Sequence, residues 1–239
     1  MSSDTGEADA SRESDDDSET MATERAPARR RRGQLRLKVL IEATDSLLAE
    51  HDVSEVGLYQ IAERAGVPTA SIYHFFPNKE AALVALAESC LAEMGETVRV
   101  ELTPRPATWQ ELITRRVRAG AAYYNEHPAL MKLFLGASIS AEVRKRDMAG
   151  TLAMSEARIE LLERYFVMPP VPDWIDRVAT SLALCDGIWA LSYSQHRCIT
   201  PTSIEESTRA VLAYMRLYLP EWIAPRPPQA GGSPPTRQP

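Results

Sequence analysis

Residues 57–80 constrain the fold more than any other part of the chain, because they predict two short helices joined by a tight turn. Ile61 and Ala65 share one face of the first helix, as a period of 3.6 residues requires. Gly66 follows at the point where a sharp turn favours a residue that tolerates positive φ. The second helix then opens at Thr69, whose hydroxyl is the predicted N-cap.

The second predicted helix has one packing side and one free side. Ile72 and Phe76 are four residues apart and supply the packing side. Small and hydrogen-bonding residues occupy the free side: Thr69, Ala70, Ser71, Tyr73 and His74. A short helix that carries such residues outward is typical of a helix-turn-helix motif that reads the DNA major groove. The pattern therefore predicts a DNA-binding unit with its helix-turn-helix over residues 57–76.

Ten positions without a gap resemble the N-terminal domain of the tetracycline-repressor (TetR) family. They are Ile61, Ala62, Ala65, Gly66, Val67, Ile72, Tyr73, Phe76, Lys79 and Glu80. The resemblance implies an all-α protein of about nine helices, with a three-helix DNA-binding domain over residues 29–83. It further implies a C-terminal helical domain over residues 84–223 that binds an effector and dimerises. The motif covers residues 34–83 with specificity, and beyond them only helix number and length agree.

The resemblance also implies which residues contact DNA. Tyr73 and Lys79 are the expected phosphate contacts, and Thr69, Ala70 and Ser71 the residues that face base edges. Residues on the preceding helix and just before the domain complete the predicted contacts: Tyr59, Gln60, Arg31 and Arg32. Because one domain reads about one half-site, we expect a homodimer on a palindromic operator in double-stranded DNA.

Two positions depart from the family pattern. Gly57 stands where the family often has a threonine, so the side-chain cap of this helix is absent. Phe75 stands where many members carry a histidine or tyrosine that binds the DNA backbone. Phenylalanine cannot make that bond, so His74 or the arginine cluster is expected to replace it; the alternative for His74 is a solvent-exposed residue without a role.

Charge is distributed unevenly along the chain. The net charge is −6, but residues 1–20 hold eight acids and only one base, so the remainder carries −6 + 7 = +1. Residues 1–28 are rich in Ser, Asp and Glu and are predicted to form a disordered acidic tail. The arginines at 29–32 follow directly and are expected to reach phosphates or a minor groove. The alternative is a solubilising segment that touches nothing.

The rest of the chain is helical by its apolar periodicity, without sustained alternation of period two, so we predict an all-α fold. Helices are expected over about 34–50, for about twenty residues from Asn78 as N-cap, and from Trp109. Later helices are expected from Pro128, around Met148–Phe166, over Trp174–Cys198 and over Thr202–Leu219, the last with a capping box at Thr202 or Ser203. Residues 224–239 are rich in Pro and Gly and are predicted to be a disordered tail.

The family resemblance implies a small-molecule effector in the second domain and a dimer formed by the last two helices. The predicted pocket residues are Trp109, Tyr123, Tyr124, Met131, Phe134, Met148, Trp189 and Tyr193. Aromatic and methionine linings suit largely apolar ligands, and the alternative for each residue is ordinary core. Arg116 and Asp186 are the candidate polar anchors. The predicted interface residues are Leu182, Trp189, Val211, Leu212 and Met215.

Other classes of protein are disfavoured. The chain has no glycine-rich phosphate loop and no nucleophile elbow, and His196 with Cys198 is a poor metal pair, so we expect neither an enzyme nor a cofactor. A long apolar run and a signal-peptide core are also missing, which predicts a cytoplasmic protein with reduced, mostly buried cysteines. The prediction is a transcriptional repressor released by a small ligand; the alternative is a helical protein-interaction module without DNA binding.

Overall fold

The computed structural model describes residues 13–137 and 140–227, and within these ranges the chain is all-α, as predicted. One isolated antiparallel bridge, between Phe166 and Pro225, is the only extended pairing in this part of the chain. The helices are α1 Glu13–Glu50, α2 Leu58–Arg64, α3 Thr69–Ile72, α4 Lys79–Arg99, α5 Trp109–Glu126, α6 Pro128–Phe134, α7 Ala141–Tyr165, α8 Trp174–His196 and α9 Pro201–Met215. No helix in the described ranges combines the length and the apolar character needed to cross a bilayer.

The N-terminal head consists of α2 and α3 packed beneath α1 and the start of α4. Its core is formed by fully buried aliphatic residues, among them Leu40, Leu48 and Ile61. Arg64 at the end of α2 makes two bonds to the Glu50 carboxylate, at 2.9 and 2.7 Å, and so ties α2 to the end of α1. Burying this apolar set, more than helix propensity, stabilises helices as short as α2 and α3.

Helix α1 begins earlier than the periodicity indicated. Its first residue is Glu13, so residues 13–28 are helical where disorder was predicted, and residues 1–12 lie outside the described residues. The segment contains three Glu and three Ala, which are strong helix formers, together with Asp, Ser and Thr, which are weaker ones, and Pro27.

Two helix caps also differ from the prediction. Thr69 is the first residue of α3, and Pro68 precedes it as an N-cap without a side-chain bond. At α9 the cap is Thr200, whose hydroxyl accepts from the Ser203 N–H at 3.2 Å, because Pro201 takes the first helical position. The Asn78 cap of α4 is confirmed, since its Oδ1 accepts from the Ala81 N–H at 2.9 Å.

The second domain packs α4, α7 and α8 side by side, with α9 against α8 and α5. The chain after α9 returns to the end of α7, where the Val167 N–H donates to Ala224 O at 2.9 Å and the Arg226 N–H donates to Tyr165 O at 2.7 Å. Residues 224–227 are therefore held by backbone bonds rather than disordered, and residues 228–239 lie outside the described residues.

Two basic side chains of the second domain bind carbonyls at helix ends, one at the end of α1 in the head and one at the end of α4 within the second domain. Lys132 of α6 donates to Leu48 O at 2.7 Å and to His51 O at 2.9 Å, at the end of α1. Arg116 of α5 donates to Thr97 O at 3.1 Å and also to Val100 O, at the end of α4. Cations at helix C-termini satisfy carbonyls that have no partner within the helix. The two domains are thus joined by packing and by charge.

Candidate DNA-binding surface and effector pocket

The free side of α3 and the start of α2 form an exposed surface on the head. Ile72 and Phe76 are buried beneath it, as the spacing predicted. Tyr59 and Tyr73 are 64% and 58% exposed, which is unusual for side chains of this size. Of the other predicted contacts, Thr69, Ala70, His74 and Gln60 are exposed and Ser71 is half-buried. All of these predicted contacts are thus at least partly accessible to solvent, at the start of α2 and along α3 and the turns after it.

The helix that carries this face is short, and the turn before it is constrained. After Ile72 the chain continues as tight turns, in which the N–H groups of Phe75 and Phe76 both donate to Ile72 O, at 2.9 and 2.8 Å. Gly66 has φ +63°, the left-handed region expected from the sequence. At Gly57 the α2 N-cap makes no side-chain bond, which agrees with the loss of the family's threonine.

Replacing Gly66 by alanine is expected to lower the free energy of unfolding by about 1–2 kcal/mol, because an L-residue at positive φ is strained. A Cβ at this position would contact nothing within 4 Å, so the backbone conformation alone sets the cost. The matched control is Gly33→Ala within α1, where the same methyl should instead stabilise by about 0.5–1 kcal/mol. Urea unfolding at constant protein concentration measures both, and equal signs would refute the assignment.

Two predicted basic contacts are placed differently from expectation. The Lys79 ammonium donates to Val53 O in the loop between α1 and α2, so it is bonded within the chain instead of lying free beside Tyr73. That carbonyl follows the end of α1 and attracts a cation. Arg31 and Arg32 are exposed, but they belong to α1 and do not form an extended arm.

A cavity of about 80 Å³ lies between α4, α5, α7 and α8 in the second domain. Three of the eight predicted pocket residues line it, namely Tyr123, Tyr124 and Trp189. Both candidate polar anchors, Arg116 and Asp186, line it as well. The aromatic rings of Tyr124 and Trp189 meet edge to face, with centroids 5.6 Å apart, and form part of one wall.

The other five predicted pocket residues lie elsewhere. Trp109, Met131 and Phe134 are buried in the core, and the Trp109 indole N–H donates to Pro220 O at 2.9 Å. Met148 is 60% exposed on α7, and Tyr193 lines a separate cleft. Periodicity marks a helix face as apolar, but the crossing of helices decides whether that face meets a cavity, another helix or solvent.

Most of the other lining residues were not predicted to line a pocket, among them two glycines and two charged residues. Gly120 lies against Trp189, whose Cη2 would be 3.2 Å from an added Cβ, so the absence of a side chain allows this close contact. Gly150 similarly admits Leu91. Arg158 and Asp147 were missed; Arg158 follows Ser155 by three residues on the buried side of α7, a position where a charge is uncommon.

Burial governs the electrostatics of this cavity. It raises the pKa of Asp186 to about 7, and the neighbouring Asp147 charge adds to that rise. Asp147 accepts from Arg144 at 2.8 Å, yet burial still raises its pKa above the ordinary value. Burial lowers the pKa of Arg116 and of Arg158. The cavity therefore holds ionisable groups of both signs away from bulk water.

Four of the five residues predicted for the dimer interface are buried within one chain: Leu182, Trp189, Val211 and Met215. Leu212 is half-buried. The Trp189 indole N–H donates to Ser207 of α9 at 3.0 Å, which pairs the two helices inside one subunit. The sequence indicated correctly that most of these residues are buried, but in the structure they are buried by packing within one chain.

An apolar surface remains on the outer sides of α8 and α9, which we call the outer stripe. On α8 it contains Ala183, Gly187 and Leu191, the last 61% exposed. On α9 and just after it the stripe contains Ala213 and Leu217, the last 72% exposed. Residues four apart on a helix share a face, so the positions on α8 lie on one side of that helix, and Ala213 and Leu217 are likewise four residues apart.

The family model for "Bacterial regulatory proteins, tetR family" matches residues 40–86, which include α2, α3 and the first turns of α4. The HTH-type transcriptional regulator BetI of Rhizobium meliloti (strain 1021) is 26% identical over 190 residues, which cover 77% of this chain and 90% of that protein.

Two solved structures share the fold. A tetR-family transcriptional regulator from Streptomyces coelicolor is similar with a TM-score of 0.59 at 21% identity, over 77% of this chain and 80% of that one. SmeT, the repressor of a Stenotrophomonas maltophilia multidrug efflux pump, gives 0.55 at 17% identity, over 77% and 91%.

The head, its exposed α3 face and the matching family model define a helix-turn-helix DNA-binding transcriptional regulator, and not an enzyme. Residues 40–86 match the DNA-binding domain of the TetR family, and the fold of the chain is similar to that of TetR-family regulators.

Proposed function

We propose that the protein is a homodimeric repressor that binds a palindromic operator and leaves it when a small molecule occupies the second domain. The observation that carries the DNA-binding part is the exposed face of α3, which presents Thr69, Ala70, Ser71 and Tyr73 above buried Ile72. Small polar and methyl-bearing side chains are suited to base edges, and a tyrosine hydroxyl to a phosphate. Such a regulator acts in the cytoplasm, on the chromosome.

The outer stripe supports the dimer. One α3 face covers about one half-site, so a second copy related by a two-fold axis is needed to read a full operator. Ala183 and Gly187 are small enough to let a partner helix approach closely, and no atom lies within 4 Å of a Cβ built at Gly187. Burying Leu191 and Leu217 against a partner supplies the apolar area that an obligate interface uses.

The cavity supports release by a ligand. We assign residues 29–83 to DNA binding and 84–223 to effector binding and dimerisation, with α4 shared between them. Arg116 lines the cavity and also binds the end of α4, so a ligand there can shift the helix that carries the head. SmeT is described as a repressor, and by analogy of fold we extend that sense of regulation to this chain.

The direct test is to select fragments of the source genome with the purified protein and to confirm them by gel shift. Retarded fragments that share an inverted repeat support the proposal. If no fragment is retarded, the chain is a helical interaction module, the alternative that lacks DNA binding. Transcription from the selected promoter, with and without the protein, separates repression from activation.

Tyr73→Phe and Ser71→Ala are expected to affect binding in different ways. Loss of the Tyr73 hydroxyl removes a bond to a charged phosphate, so binding to every sequence should weaken by about tenfold. Loss of the Ser71 hydroxyl should change the preferred base at one position in each half-site. Binding to a library of single-base operator variants measures both effects. Identical profiles for the two variants would contradict these roles.

A further inference from the structure

We propose that the effector is an amphipathic anion whose carboxylate binds Arg158 inside the cavity of the second domain. The inference rests on the proposed function, because it names the chemical class of ligand that this regulator senses. Four features of the cavity carry it: an unpartnered guanidinium, a second guanidinium beside it, acids that do not neutralise the pair, and apolar walls.

Arg158 lines the cavity from α7 and makes no hydrogen bond or ion pair with any residue in the described part of the chain. Its Nε is buried and has no hydrogen-bond partner. A guanidinium without a partner in such surroundings is costly, and it offers a planar fork that matches a carboxylate with two bonds. Arg158 therefore has the chemistry of a binding group whose counterion comes from outside the chain.

Arg116 brings a second positive charge to the same cavity from α5. Its side chain is only 6% exposed, and its two terminal nitrogens are used by the carbonyls of Thr97 and Val100. The Nε of Arg116 is buried and unpartnered. The nearby Arg158 charge lowers the pKa of Arg116 further than burial does alone. An anion between the two guanidinium groups would relieve this repulsion.

The two acids of the cavity do not neutralise these charges. Asp147 forms a salt bridge with Arg144, with 2.8 Å between Nη1 and Oδ2. The Arg144 side chain is itself largely at the surface. Asp186 makes no salt bridge to Arg158 within the described part of the chain; the Arg158 charge favours its ionised form, but burial outweighs this and raises its pKa to about 7, so near neutral pH it is ionised only in part. The balance of charge inside the cavity is therefore positive.

The walls determine the remainder of the ligand. Leu91 and Met94 of α4 and Leu182 and Trp189 of α8 surround the polar groups with apolar surface. The cavity of about 80 Å³ has room for roughly six water molecules. It could therefore hold a short aliphatic chain or a single ring. Arg158 and Arg116 also border a narrow apolar gap that reaches Val211 and Met215.

The experiment compares three probes with the same six-carbon chain: hexanoate, hexylamine and hexanol. Binding to the DNA-free protein is measured by saturation-transfer NMR and calorimetry. Hexanoate is expected to bind at least tenfold more tightly than the other two. Arg158→Met should remove this preference, and its apo form should melt at the same temperature as the wild type or higher, because an unpaired buried charge is replaced by an apolar side chain.

Two further variants keep the proposal falsifiable. Arg158→Lys retains the charge without the fork, and should bind hexanoate with intermediate affinity. Arg146→Gln, at an exposed α7 position paired with Glu88, is the control and should bind hexanoate like the wild type. Tighter binding of hexylamine, unchanged hexanoate affinity in Arg158→Met, or a much lower melting temperature of that variant would each overturn the proposal. Because these measurements contain no DNA, they test ligand binding independently of whether the protein binds an operator.

Discussion

The Leu191→Arg variant is expected to bind the operator at least 100-fold more weakly than the wild type. Leu191 is exposed on the outer stripe, and in a two-fold dimer each substitution would bury a charge opposite apolar surface or its own symmetry mate. A monomer would then hold one half-site alone and lose the gain of 10²–10⁴ that two linked sites typically provide, on the order of the stated loss. Gel shift with the selected operator measures the affinity.

Sedimentation of the same variant measures its oligomeric state, separately from its affinity for the operator. Leu191→Arg should sediment as a monomer with unchanged helix content. The control is Val167→Arg, which places the same charge at an apolar position of similar exposure in the segment after α7, away from the outer stripe. It should remain a dimer and bind the operator normally. A variant at Leu191 that stays dimeric disproves this interface, whereas a monomer with full affinity disproves the need for a dimer.

The Asp186→Asn variant is expected to abolish a loss of stability that the wild type suffers as pH rises. The folded pKa of about 7 lies above the ordinary 3.8, so between these values the folded state binds more protons than the unfolded state. Stability therefore falls with rising pH over this range. Between about pH 5.5 and about pH 8 the wild type should lose ~2 kcal/mol relative to the variant, less any screening by solvent at the carboxylate.

Urea unfolding at several pH values and one protein concentration measures this difference. The charges of Asp147, Arg158 and Arg144 act on Asp186, and they contribute to the pH dependence that remains. Glu156→Gln removes the same formal charge from an exposed position of α7 and should leave the slope of the wild type unchanged. Parallel curves for Asp186→Asn and the wild type would show that Asp186 is ionised across the whole range.

The head could be derived almost completely from the sequence, because its determinants are local. Gly66 at positive φ, and Ile72 with Phe76 four residues later, define the turn and the buried side of α3 within a dozen residues. The residues of α3 that do not pack against the core then form its exposed side. The bond from Lys79 to Val53 O could not be derived in this way, because Val53 lies on a loop whose course depends on how α1 ends.

The second domain could be derived only in outline. Apolar periodicity identified the helices and, with them, Tyr124 and Trp189 as cavity residues, but it assigned Trp109 to the same cavity although that residue lies in the core. Trp189 was also assigned to the dimer interface, although it faces α9 of its own subunit. The apolar periodicity of a helix indicates which side chains are buried, but it does not indicate which neighbouring element buries them.

By itself the sequence determined the all-α class, the similarity to the TetR family, and the position of α3 with its buried and exposed sides. These properties depend on contacts between residues close together in the chain, where spacing and backbone preference suffice. Only the tertiary structure decided which apolar faces meet inside one subunit, which remain outside, and that Arg158 lies in a cavity without a counterion. Those properties arise from the crossing of helices that are distant in sequence, where small changes of angle exchange a core contact for an open space.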